Sequence, residues 1–269
     1  MRWASVLVMG LGVLGLGSYV GTGELFSLGL DAWDVGMAGS GLALAAGPGA
    51  LFLNPAGLAG GTGLQLCSTF GSTFGQASAS TAAVSLAWLG VGGVRLSIPP
   101  DGGTPFLHEG ALLGVGIPVG PGFSIGARGR LLHLVYPEEH AGWALDLAAL
   151  YRGVISAALV VEGALAQAPT PGEEWPPSLS LGLAFQLLQS DRLSARLALA
   201  ATGFGAAAPT LRLGGELWLG ELGLRCGLSP DLAAIGVSAG WRNFRLNLAV
   251  ELSAALSASF FATLIVRFG

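Results

Sequence analysis

The residues of this chain that could do chemistry are few and widely separated. His108, His133 and His140 are its histidines, and serine is plentiful. No nucleophile stands at a spacing that would hand it to a base, so an enzyme is not expected. Each histidine reads as a loop or strand-end residue. Cys67 and Cys226 lie far apart in sequence, and a disulfide between them is open in an oxidising compartment without being demanded. No Cys/His ligand spacing occurs, so neither a metal nor a cofactor is expected. What remains is charge: Arg95, Arg128, Arg130, Asp146, Glu162, Arg192, Arg196, Arg212, Glu216, Arg225, Arg245, Glu251 and Arg267, each set among apolar neighbours. Gathered on one surface, these could hold an anionic head group or carboxylate, or could pair off and hold two parts of a fold together.

The element able to gather them is constrained by composition. Of 269 residues, 52% are hydrophobic and only 10% charged, with a mean hydropathy of +0.67. An ordinary soluble domain carries roughly a quarter charged residues. The 45 Gly and 14 Pro are too many for a bundle of transmembrane helices. No stretch beyond the N-terminus offers the roughly 20 unbroken apolar residues of a spanning helix. In a bilayer every backbone polar group needs a partner, which leaves the closed barrel. A net charge of −4 and a pI near 5.3, with no basic stripe, exclude nucleic acid as a partner. All 12 basic residues are Arg, a coding bias to which we attach no functional weight.

Met1-Arg2 and the apolar run Trp3 to Leu16 have the form of a secretory signal peptide, taken as residues 1–22, without a clean cleavage site. Its other reading is a first strand or an amphipathic anchor.

From Gly63 to the end, residues 63–269, apolar residues recur at every second position in segments of about 8 to 12, the dyad pattern of a membrane barrel. Phe244, Leu246, Leu248, Val250 and Leu252 alternate with Asn243, Arg245, Asn247, Ala249 and Glu251. Leu211, Leu213, Leu217 and Leu219 alternate with Arg212, Gly214, Glu216 and Trp218. A helix would scatter these charges around its circumference; a strand puts them on one face. About fourteen such segments follow one another, so the fold class is all-β, an antiparallel up-and-down transmembrane barrel. Short connections are expected at Leu89-Gly90, Gly120 to Gly122, Arg152-Gly153, Gln189 to Asp191, Gly220-Glu221 and Arg242-Asn243. Longer ones are expected at Gly71 to Ala79, Pro99 to Pro105, Tyr136 to Gly142, Ala166 to Pro177, Gly203 to Pro209, Ser229 to Ala233 and Ser253 to Ser257. Short periplasmic turns opposite longer external loops are the asymmetry of a bacterial outer-membrane barrel. Alternation turns the charged residues above into the lumen, since Arg facing lipid at the midplane costs roughly 2–4 kcal/mol. A two-residue turn at Gly220-Glu221 would set Glu216 opposite Arg225 as a cross-strand ion pair.

Residues 23–62 have no clean period of two. Within them, Asp31 to Leu58 is rich in glycine, and Asn54-Pro55 is a turn or helix-start signal. This stretch reads as a plug across the barrel or as an extra strand. Gly36-Met37-Ala38-Gly39-Ser40-Gly41 and Leu53-Asn54-Pro55-Ala56-Gly57-Leu58, followed by a barrel, resemble the PorV/FadL family of outer-membrane proteins. Ala144 to Leu147, Leu213 to Trp218, Leu224 to Leu228 and the terminal Arg267-Phe268 are similar to later signatures of PorV-type members. The resemblance implies a plug whose motif residues are Gly36, Met37, Gly39, Asn54, Pro55, Ala56 and Gly57, either structural or ligand-contacting. Two departures matter. Ala46-Gly47-Pro48 replaces an acidic pair common in the family, and the chain is shorter than typical FadL transporters.

Those departures shift the expectation toward a PorV-like subunit, a partner or shuttle for secreted or surface proteins, with the loop around Trp175 as its recognition surface. The alternative is a FadL-like channel for small hydrophobic molecules, in which the plug moves. Outer-membrane lipid is expected around either. The two differ in the lumen: a transporter needs an apolar inward path. The inward faces read as small and polar, with Trp218, Phe261 and Ile265 the large exceptions, which leans toward a sealed lumen.

Overall fold

The computed structural model describes residues 30–99, 106–135, 138–170, 172–206 and 208–268. The expected signal peptide lies outside these residues, as do residues 23–29 of the expected plug. Fourteen antiparallel strands form a closed barrel in which each pairs with its sequence neighbours and the first with the last. They are β1 (Leu64–Thr73), β2 (Ala77–Leu86), β3 (Leu89–Ile98), β4 (Phe106–Gly120), β5 (Phe123–Val135), β6 (Glu139–Tyr151) and β7 (Ile155–Gln167). The wall continues through β8 (Ser178–Gln189), β9 (Leu193–Phe204), β10 (Thr210–Leu219), β11 (Leu222–Leu228), β12 (Leu232–Trp241), β13 (Phe244–Ser253) and β14 (Ser259–Phe268). Closure leaves no unpaired edge, the condition for a sheet to stand in lipid.

Alternation does the sorting. In β11, Leu222, Leu224, Cys226 and Leu228 are exposed, while Gly223, Arg225 and Gly227 are buried. Exposed Leu, Val and Ile make an outer apolar band. At the short-turn end it is bounded by Trp88, Phe123, Tyr151, Trp241, Phe244 and Phe268, and toward the other end by Phe70, Trp143 and Phe260. Aromatic rings at both borders of an apolar band mark the two membrane interfaces. With its closed barrel, this band identifies a bacterial outer-membrane protein.

The turns beginning each even-to-odd connection span two or three residues, such as Pro121-Gly122, Gly220-Glu221 and Arg242-Asn243; the opposite end carries connections as long as residues 168–177. Two connections differ from the sequence expectation. The β2–β3 turn is Ala87-Trp88, with Ala87 at φ 50°, and Leu89-Gly90 belongs to β3. Gly90 is not a turn glycine: it faces inward, where an added Cβ would lie 3.2 Å from Leu58. Residues 71–79 are not an extended loop either. Their small Ser, Thr and Ala side chains pair as strand, with Thr73 opposite Ala77, leaving only Phe74 to Gln76 as a turn.

The lumen has two linings. On β4 to β7 the inward residues include Leu112, Leu132, Leu150 and Val160, all buried. This is more apolar than expected, and the reason lies in residues 30–62: Leu51, Phe52 and Leu58 pack into the same cluster as Leu112 and Leu132. On β8 to β14 the inward face is mostly Gly, Ala, Ser and Thr, broken by residues such as Arg196, Arg212, Glu216, Arg225, Asn247 and Phe261.

Candidate functional site

The site is built where residues 30–62 meet the inner wall. This segment lies within the barrel as short helical turns. Helix α1 (Ala32–Val35) is capped by Asp31, whose carboxylate accepts from Trp33 N at 2.9 Å. Ala38 (φ 53°) and Gly39 (φ 74°) then reverse the chain through the left-handed region, a conformation that Gly39 adopts without strain. The Asp34 carboxylate accepts from Gly41 N at 2.9 Å and closes that reversal. Helix α2 (Ala50–Leu53) ends at Asn54, which starts a 3-10 turn over Pro55–Gly60. Asn54 Oδ1 accepts from Ala56 N at 3.1 Å, with Pro55 in the first helical position, where its missing N–H is harmless. Asn54 Nδ2 donates to Leu42 O at 3.2 Å, so one fully buried side chain ties the two halves of the segment together.

Glycine permits the fit. A Cβ on Gly57 would come 2.4 Å from Ala45 O, and one on Gly36 would reach 3.0 Å from the Cα of Gly236 in β12. The wall answers in kind: Gly227 lies against the Met37 backbone and Gly126 against Pro55 and Ala56. Met37 itself is fully buried.

Irregular backbone leaves carbonyls without partners, and inside a barrel each must find one. Wall arginines supply them. Arg212 Nη1 donates to Ala38 O at 3.1 Å, and Arg128 Nη1 to Leu51 O at 2.9 Å. Arg152 Nη2 donates to both Ala45 O (2.9 Å) and Gly57 O (3.1 Å). Hydroxyls complete the fastening: Thr81 donates to Leu30 O at 3.0 Å, Ser124 to Ala56 O at 3.0 Å, and Thr263 Oγ1 accepts from Ala32 N at 2.8 Å.

The lumen charges fall into two clusters. In the first, Arg128 Nη2 and Arg130 Nη2 each reach the buried Asp146 carboxylate at 2.7 Å. A bulge at Gly163 (φ 62°) turns its N–H onto the same carboxylate at 2.8 Å. Arg128 also meets Glu162 at 3.2 Å. In the second, Glu216 is opposite Arg225 in the β10–β11 register, bonded to its Nε at 2.9 Å, and also pairs with Arg196. Trp33 Nε1 donates to Glu216 at 2.7 Å, which draws this cluster onto α1. Arg225 and Arg245 lie over the Trp218 ring at 5.4 and 4.6 Å. Three sequence assignments are corrected. Arg95 points outward, because the inward positions of β3 are Gly90, Gly92 and Val94; Arg192 lies in the β8–β9 turn. Trp175, half-buried, lies over Arg130 at 4.9 Å and packs against the apolar cluster rather than standing free in its loop. Cys67 and Cys226 are free, one facing the lumen and one the outside. Sequence reasoning missed Arg152, which looked like a turn residue, and the roles of Asp31, Trp33 and Asp34.

Above α1 and α2, toward the long loops, lies a cavity of about 210 Å³. Leu30, Val35, Leu42, Phe52, Val160 and Phe261 line it, with Asp34, Arg212 and Glu251 among them. Burial pushes the Asp34 carboxyl up to about 6, against the Gly41 N–H bond and the Arg212 charge that favour its ionised form. Burial likewise raises Asp31.

No protein-family model and no curated protein matches this sequence. Solved structures do match in fold. The monoaromatic hydrocarbon channel CymD aligns at 13% identity over 90% of this chain and 98% of its own, with a TM-score of 0.59. The Pseudomonas putida toluene transporter TodX aligns at 15% identity over 88% and 97%, with a TM-score of 0.58. The Acinetobacter baumannii outer-membrane protein Omp33 aligns at 7% identity over 77% and 98%, with a TM-score of 0.51.

Proposed function

We propose that this chain is a passive channel for small hydrophobic molecules across the outer membrane, and that residues 30–62 are its plug. The observation that carries this reading is the cavity resting on α1 and α2, where Leu, Val and Phe side chains line a space with Asp34, Glu162, Arg212 and Glu251 set among them. A ligand entering from the long-loop end would meet Leu, Val and Phe side chains together with the charged Asp34, Glu162, Arg212 and Glu251. Apolar lining with a few placed polar groups is the usual make-up of a small-molecule site. The fold likeness to two hydrocarbon channels supports the same reading. The plug motif is then structural, since Asn54 bonds within the segment and Gly57 packs on Ala45 and accepts from Arg152.

The test is uptake of N-phenylnaphthylamine, an apolar fluorophore, by cells displaying the protein. The expected result is faster entry than in cells without it, abolished by Thr202→Trp, which fills the cavity from β9. Equal entry with and without the protein would sink the channel reading. The PorV-like partner role is the second reading. It is favoured by the closely bonded plug and weakened by Trp175 facing inward. Stoichiometric co-purification of a secreted protein in mild detergent would promote it.

A further inference from the structure

The membrane-facing band is broken on β1 to β4. On β1 to β4 its outward residues turn small along one hydrogen-bonded row: Ser68, Ala82, Gly93 and Ala111 are consecutive register partners. The next row toward the long loops is charged, with Arg95 paired to Glu109 and Glu109 to His133. These side chains are on the outer face: Arg95 is 58% exposed, His133 45% and Glu109 40%. Their mutual contacts are long, 3.6 Å from Arg95 to Glu109 and 3.9 Å from His133 to Glu109. Together the two rows bound a groove of about 570 Å³. Phe70, which lies in the charged row beyond Ser80, marks this level as the outer membrane interface.

We propose that this face is a dimer interface with a second copy of the chain. Two lipid-facing surfaces gain no hydrophobic driving force by meeting, so membrane proteins associate through small residues that allow close approach and through polar contacts. This patch has both, a run of four small residues beside a charged row. Its charge is complementary to itself. Two barrels inserted in the same direction can be related by a two-fold axis along the membrane normal, and an isologous contact then follows. An axis between β3 and β4 sets Arg95 of each copy against Glu109 of the other. It sets Gly93 against Ala111, and the exposed Leu131 of β5 against the small Ala82 of β2. An axis through β3 would instead oppose Arg95 to itself, so the charges select the register.

Mass photometry of the protein in lipid nanodiscs, with folding verified by heat-modifiable electrophoresis, reads the oligomer directly. The wild type is expected to be a dimer, and Gly93→Leu, Arg95→Glu and Glu109→Arg are each expected to be monomeric, a shift of at least tenfold in the dissociation constant. Arg95→Glu mixed with Glu109→Arg is expected to dimerise again. In that heterodimer both intermolecular pairs are restored, while the pair inside each chain remains like-charged. A monomeric wild type, with or without a lipid retained on this face, overturns the proposal. So does a dimer that survives all three substitutions, or a mixture that stays monomeric.

Discussion

Gly126→Ala places a single methyl between wall and plug. Its Cβ would lie 2.3 Å from Ala56 N and 2.5 Å from the Pro55 carbonyl carbon, both backbone atoms. Ordinary contact is about 3.5–4.0 Å, so the 3-10 turn at Pro55 must retreat by about 1 Å. It is not free to do so, because Ser124 Oγ holds Ala56 O at 3.0 Å and Asn54 Oδ1 holds Ala56 N at 3.1 Å. Overpacking costs about 1–3 kcal/mol, and each of the two bonds about 0.5–1.5 kcal/mol. The sum is about 4 kcal/mol, taken from the docking of the plug and not from the β5 ladder. Gly129→Ala is the control: on the outer face of the same strand, its nearest neighbour would be Leu113 O at 4.0 Å. There the loss of unfolded-state freedom makes alanine neutral or stabilising by about 0.4–1 kcal/mol. Both variants, refolded into vesicles, would be compared by urea titration and by protease cleavage within residues 30–62. Gly126→Ala should expose the segment to protease with the barrel still resistant, and Gly129→Ala should match wild type. Indistinguishable protection in the two variants would refute the claim that wall glycines seat the plug.

The remaining predictions test the fastening in other ways. Asn54→Ala removes a cap worth about 0.5–2 kcal/mol and strands the Leu42 carbonyl, for a further ~1–3 kcal/mol; protease sensitivity of the segment should rise accordingly. Arg128→Met leaves Asp146 with Arg130 and the Gly163 N–H, and frees the Leu51 carbonyl, so a loss of about 3–5 kcal/mol in urea titration is expected. Asp34 sets a pH dependence. Its folded pKa, about 6, lies above the ordinary 3.8, so the folded state binds the proton more tightly and stability falls as pH rises from about 4 to 6, then levels off. Protection of the segment should therefore be greater at pH 4 than at pH 7, by roughly 2 kcal/mol, at 1.36 kcal/mol per pKa unit. Asp34→Asn should reduce that slope to the part that Asp31 contributes; an unchanged slope would exclude Asp34 as its source.

The barrel was legible in the sequence because alternation is a local signal. Each strand declares its own faces, and Glu216 opposite Arg225 follows once a two-residue turn is placed at Gly220-Glu221. Where local signals conflict with tertiary demand, the reading failed. Gly90 looked like a turn, but it is small because Leu58 of the plug lies over it. The Ser, Thr and Ala run at 71–79 had loop composition, yet ladder pairing carries it as strand. Arg95 was assigned to the lumen on the general cost of a lipid-facing charge, and that rule weakens near the interface, where this residue sits. The site was less legible than the wall. Which carbonyl an arginine reaches depends on how a non-periodic segment folds across the lumen, and no spacing in the chain encodes that path. Arg152 shows this best, bridging Ala45 and Gly57 from what reads as a bare hairpin turn.

The distribution of charge and the irregularity of residues 30–62 are two sides of one requirement. A closed ladder satisfies its own backbone, so an empty barrel of this size needs no buried arginine. Short helical turns do not satisfy theirs, and the carbonyls of Ala38, Ala45, Leu51 and Gly57 face inward, where no strand can reach them. A guanidinium offers five donors on a long stem, which suits it to reach across and bond two carbonyls or a carbonyl and a carboxylate at once. Every such arginine then needs a counter-charge, since an unpaired buried cation is costly. For Arg128 it is Asp146, while Glu216 pairs Arg225 and Arg196 and meets the segment through Trp33 instead. Much of the lumen charge is thus explained by its contacts with residues 30–62 before any ligand is invoked. On the channel reading proposed above, this leaves the cavity over α1 and α2, lined by both apolar and charged side chains, as the place for a ligand.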